Sequence, residues 1–177
     1  TPHTLHTVLD SGYTVFLHFA ATWTPPGWNY HNNGAMQGLY NTYGPAGSNE
    51  VRVFLIEADP STTVADLNGT GTNTQGNWVA GTPFPIINDA SQTAPYAINF
   101  YPTIYMICPD RLTYEVGQLS TAGHYAQVAT CPVVSNTVND AQIQLVQGVP
   151  DYMCPGNTAS PQATIRNMGT NVLTSAT

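Results

Sequence analysis

Two strand-like runs separated by the length of one helix constrain this chain more than anything else in it. Residues 14–20 read TVFLHFA and residues 51–58 read VRVFLIEA. Both are β-branched and aromatic with few interruptions, the pattern of strands covered on both faces. Between them Trp28, Ala35, Met36, Leu39, Tyr40 and Tyr43 recur at three- and four-residue steps until GPAG at 44–47. One helix is expected there, stopped by the glycines and proline. Strand, helix and strand in this order predict a parallel βαβ unit with a right-handed crossover.

The remainder extends that pattern. STTVADL (61–67) predicts a short helix capped by Ser61. Residues 68–77 form a Gly/Thr/Asn loop anchored by Trp78, and ASQTAPYAI (90–98) predicts a short helix broken by Pro95. PTIYMIC (102–108) and LTYEVGQL (112–119) predict an antiparallel hairpin turning on PDR. STAGHYAQVATC (120–131) predicts a closing helix capped by Ser120 or Thr121. Beyond Cys131 the texture changes to PVVSNTVND, so a boundary is placed at 132–139, followed by strand-like pieces at 141–146, 162–167 and 171–176.

Charge excludes several classes of partner. Only 7% of residues are charged, there is no Lys, and Arg52, Arg111 and Arg166 are the only basic residues besides histidine. No basic patch exists to neutralise phosphates, which excludes nucleic acid. A net charge of -7 disfavours anionic membrane surfaces, and no apolar run is long enough to span a bilayer. The chain begins at Thr1 rather than Met, as expected for a mature product whose targeting segment has been removed; trimming would leave the same start. Low charge, the Thr/Asn-rich texture and the Asn-x-Thr triplet at Asn68–Thr70 lean towards an extracellular or cell-surface setting. Cys108, Cys131 and Cys154 lie far apart, with no CxxC and no zinc spacing.

The order β, α, β, α, then a hairpin starting at a proline, then α, resembles a thioredoxin fold over residues 5–131. VFLHFAATW resembles the first core strand of that family, TPPG at 24–27 stands where Cys-Gly-Pro-Cys normally does, and YPT at 101–103 resembles its cis-proline segment. WNYH, GPAGSNEVRVF and NTQGNWV are similar to thioredoxin-like domains of large secreted bacterial proteins in which Ig-like modules follow. The resemblance implies an α/β fold, a central mixed sheet flanked by helices, with a short C-terminal β-strand extension. It divides the chain into a thioredoxin-like domain (1–131), a linker with one strand (132–160) and a tail (161–177) resembling the start of an Ig-like module.

Departures from the family pattern shape the functional expectation. Thr24 and Gly27 replace the two cysteines, and His18 stands where the family tends to keep a buried Asp. A hydroxyl cannot replace a thiolate, since exchange requires sulfur that forms and breaks S–S bonds. Thr24, Pro25, Pro26 and Gly27 still suit a helix start, with Thr24 as N-cap offering its oxygen to the first-turn amides. The expectation is therefore a non-catalytic, redox-inactive structural or adhesive module, not an enzyme. Self-association is expected through the C-terminal strands, which can add to a neighbouring copy and build a filament. The alternatives are a thiol–disulfide oxidoreductase or peroxidase relative using cysteines outside a CxxC, and a glycan or peptide binder.

Other residues are weighed beside that reading. Pro102 is the cis-proline candidate. In the resembled fold Cys108 and Cys131 can meet at one edge, which makes them the preferred disulfide; Cys131–Cys154 is the fallback, and three pairings exist. Trp23, Trp28 and Tyr30, with Tyr40 and Tyr43, can frame a binding rim for an extracellular glycan or protein. His3 and His6 lack a third ligand, Glu57 and Asp59 lack EF-hand spacing, and neither a metal nor another cofactor is expected. His18 is expected inside the sheet with a hydrogen-bond partner, and His31 and His124 on helix surfaces.

Overall fold

The computed structural model describes residues 4–132, 141–148 and 158–167. The first compact unit, Thr1–Pro132, is built on a five-stranded mixed sheet in the order β3-β2-β1-β4-β5. Its strands are β1 (Thr14–Ala20), β2 (Val51–Glu57), β3 (Ile86–Asn88), β4 (Thr103–Ile107) and β5 (Thr113–Glu115). β1 lies parallel to β2, with Leu17 opposite Phe54, and antiparallel to β4, with Leu17 opposite Tyr105. That central position explains why every residue of TVFLHFA is buried.

Alternation along the strands divides the interior in two. Phe16, Ala20, Val53, Leu55, Ile104 and Met106 face a core shared with the helices α2 (Pro25–Asn32), α3 (Ala35–Tyr43) and α5 (Thr121–Val128). Val15, Leu17, Phe19, Phe54, Ile56 and Ile107 face the other way, against Leu5, Val8 and Leu9 of α1 (Leu5–Asp10) and against Tyr96 and Ile98. Each fully buried aliphatic or aromatic side chain contributes about 1.5–3 kcal/mol of transfer free energy, so the sheet faces account for most of the driving force.

Several expectations are corrected. The single helix after β1 is two, because Gly34 takes φ 78 and the chain turns between Asn32 and Ala35. A left-handed residue cannot continue a helix, and glycine adopts it without a Cβ penalty. α4 (Val64–Leu67) is capped by Thr63 rather than Ser61: the Thr63 hydroxyl accepts from Asp66 N while Asp66 accepts from Thr63 N. The segment after Asp89 is one 3₁₀ turn, Ala90–Thr93. β3 and α1 are additional elements. α5 is capped by Ser120, whose oxygen accepts from Gly123 N at 3.1 Å.

The second unit, Val133–Thr177, contains β6 (Ala141–Gln147) and β7 (Gln162–Asn167), an antiparallel pair with a register shift between Ile143 and Leu145. The strand expected at 171–176 lies outside the described residues, as do Cys154 and His3.

Candidate functional site

Two ends of the sheet carry the residues of interest. The first is the carboxyl end of β1 and β2. Here Pro25 and Pro26 occupy the first two positions of α2, and Trp28 N donates to Thr24 O at 3.0 Å. Thr24 does not cap with its side chain; its hydroxyl donates to Ala21 O at 2.9 Å. The reason lies in the sequence: prolines at N1 and N2 have no N–H to offer, so one of the amides a cap would satisfy is missing. Gly27 is buried, and a Cβ placed on it would stand 2.5 Å from Thr24 Oγ1. Positions 24 and 27 therefore face each other closely, although neither carries sulfur.

The peptide Tyr101–Pro102 is cis and leads into β4, whose Thr103 pairs with Phe19, so it stands at this same end. Glu57, the last residue of β2, is buried and accepts from Thr22 N and Asp59 N, each at 3.1 Å. Burial pushes its carboxyl up to about 7, against the opposing pull of those hydrogen bonds. Asp59 is held below the usual carboxylate range by bonds from Ser61 and then from Trp23, whose indole Nε1 donates to Asp59 Oδ2 at 2.8 Å. Residues 68–77 close over the site: Thr22 Oγ1 donates to Asn73 O, Gln75 Nε2 donates to Trp23 O, and Trp78 is completely buried below.

The expected aromatic rim is only partly formed. Trp23 is 42% exposed, but Tyr30 is buried and Trp28 is half-buried against Trp78, with ring centroids 5.3 Å apart. The helix turns Tyr30 inward, where its hydroxyl donates to Leu119 O at 3.0 Å. His31 and His124, expected on surfaces, are buried as well. The helical stripe Thr121, His124 and Val128, at steps of three and four, was the signal that could have placed His124 inside. His18 is buried as expected but has no partner on either ring nitrogen. His6 is exposed on α1.

The second end holds the sulfur. Cys108 follows β4, Cys131 lies just beyond α5, and the two form a disulfide that closes a 23-residue separation. Cys108 is fully buried and Cys131 half-buried, with Thr14 Oγ1 3.8 Å from Cys131 Sγ. Arg111 in the adjoining turn pairs with Asp10 at 3.1 Å. Among the described residues no three His, Cys, Asp or Glu side chains converge to hold a metal ion, and no helix is long and apolar enough to cross a membrane.

No protein-family model matches the chain, and no curated protein matches it in sequence. Solved structures do share its fold. A thioredoxin-like superfamily protein is 17% identical, with a TM-score of 0.51 over 73% of this chain and 85% of that one. A secreted disulfide oxidoreductase from Mycobacterium tuberculosis is 19% identical, with a TM-score of 0.46 over 67% of this chain and 82% of its own. Tryparedoxin I from Leishmania major is 21% identical, with a TM-score of 0.44 over 67% of this chain and 75% of its own. The chain thus has a thioredoxin-like fold. The expectation that it is not an enzyme is corrected: a cysteine pair able to form a disulfide is present away from the α2 head.

Proposed function

We propose that the protein is a thiol–disulfide exchange protein that works through Cys108 and Cys131. One observation carries this reading: the two bonded sulfurs are unequal, Cys131 half-buried and Cys108 fully buried. Exchange needs one sulfur that an external partner reaches and one that resolves the mixed disulfide from inside. Cys131 suits the first role and Cys108 the second.

In the reducing direction the Cys131 thiolate attacks a substrate disulfide, forming a mixed disulfide and releasing one substrate thiolate, which takes up a proton. The Cys108 thiol then gives up its proton and attacks Cys131 Sγ, releasing the second substrate thiol. The protein loses two electrons and two protons, the substrate gains both, and an external dithiol returns the pair to its starting state. A disulfide of this kind fits an exported protein.

The test is insulin reduction by the prereduced protein in a Cys154→Ser background. Turnover abolished by Cys131→Ser is the expected result, with Cys108→Ser accumulating a mixed disulfide visible by mass. Absence of turnover in the parent, or unchanged turnover in Cys131→Ser, overturns the reading.

A further inference from the structure

α5 seats a single fully buried side chain against the sheet, and that side chain is an imidazole. His124 is the one buried residue of the helix; Tyr125 and Val128 are only partly covered. Its ring meets Phe16 edge-on at 5.4 Å and Tyr30 at 6.4 Å, and its Nε2 bonds the Tyr30 hydroxyl at 2.5 Å. That hydroxyl also lies 3.0 Å from Leu119 O, while Nδ1 of the imidazole is without a partner.

Two further histidines share the same interior. His18, from the centre of β1, meets Tyr30 at 5.5 Å and His31 at 6.5 Å. His31, from α2, lies against Trp78 and Trp28 and bonds Thr82 Oγ1 at 3.3 Å. Four of the six ring nitrogens have no hydrogen-bond partner. β1, α2 and α5 contain no acidic residue. The acids on adjoining segments are engaged elsewhere: Glu50 accepts from Tyr125 on the outer side of α5, and Glu57 accepts from Thr22 and Asp59. The groups on this side of the sheet are Tyr30, the indoles, the other two imidazoles and Glu57, which follows Leu55, the partner of His18, by two residues and whose carboxyl burial pushes up to about 7; none of the three imidazoles bonds a carboxylate.

We propose that the His18–His31–His124 cluster is an acid-operated latch, and that protonating it releases α5 from the sheet while the strands stay paired. The release falls on α5 because it has least else to lose. α2 buries Gly27 and Tyr30 besides His31, and β1 is held on both sides by strands. Outside the disulfide, α5 is held mainly at its rim: Thr121 Oγ1 donates to Ala35 O at 2.9 Å, and Tyr125 stacks on Tyr43 at 3.6 Å. With Cys131 still bonded to Cys108, the freed helix swings from a tethered end rather than leaving. Burial holds the His124 imidazole down to about 4, and His18 lower still at about 3, with the other two imidazoles adding to the effect there.

Hydrogen exchange of the intact, oxidised chain at pH 7 and pH 5, corrected for intrinsic rates, reads the latch directly. The expected result is a loss of protection in Thr121–Val128 of about twentyfold, the population shift that linkage gives between these two pH values for a group held from 6.5 to about 4, with β1 and β2 little changed. His124→Leu should remove that loss, since Tyr30 keeps Leu119 O as its acceptor. Equal loss in strands and helix, loss in α2 but not α5, or an unchanged response in His124→Leu each overturns the proposal. Should that variant not fold, NMR titration of His124 in the native protein decides: a midpoint near 6.5 with α5 still protected overturns it, and one well below supports it.

Discussion

The two ends of the central sheet have exchanged properties that one site would ordinarily combine. At the carboxyl end of β1 are a helix N-terminus, a cis peptide, a buried carboxylate and two positions in close approach, but no sulfur. At the opposite end are the two bonded sulfurs, next to a helix C-terminus. The difference teaches that scaffold and reactive atom are separable: backbone geometry at one end survives on capping, proline and packing alone, while exchange needs only two cysteines within reach. It also assigns a cost, because a helix N-terminus such as the α2 head favours a thiolate and the sulfurs lie away from it.

The sharpest way to break the comparison is to disable each end in turn. Cys131→Ser should abolish insulin reduction, whereas Thr24→Ala should leave the rate within twofold; the reverse outcome would return the chemistry to the α2 head. Next in size is the transplant. Thr24→Cys with Gly27→Cys, in a background lacking Cys108 and Cys131, should exchange about threefold faster than the parent at pH 7, the gain in thiolate fraction from one pKa unit less the nucleophilicity lost with it. Stopped-flow reaction with an aromatic disulfide measures it.

Stability separates the ends less steeply. Trp78→Ala, which removes the floor under α2 and the 68–77 loop, should cost about 3–5 kcal/mol in denaturant unfolding. Opening Cys108–Cys131 at the other end should cost about 2–4 kcal/mol. The smallest effect belongs to Glu57. Its folded carboxyl titrates near 7 against an ordinary 4.5, so the unfolded chain loses its proton first and stability falls as pH rises through that window. Glu57→Gln should flatten that arm of the stability–pH curve, whatever its effect on absolute stability.

Periodicity made the sheet's centre legible before any coordinates. TVFLHFA and VRVFLIEA lie within a residue of their strands, and the order of elements was enough to suggest the fold. Local competition hid the rest. Gly34 splits what one hydrophobic stripe makes continuous, and β3 is three residues recruited by the edge of β2, too short for any period to show. His31 and His124 are expected on helix surfaces, although His124 occupies an inward step of its own helix. The expectation that the chain is not an enzyme is corrected for a different reason: it leans on the α2 loop and His18, and the bonded sulfurs lie at the far end of β4, where the oxidoreductase alternative places the chemistry.

β3 and β5, the margins of the five-stranded sheet, are each three residues long. A passing chain finds hardly any free backbone there on which to extend a ladder. Preparations of residues 1–132 should accordingly stay clear and monodisperse at high concentration, and any growth by strand addition has to start from β6 or β7 instead.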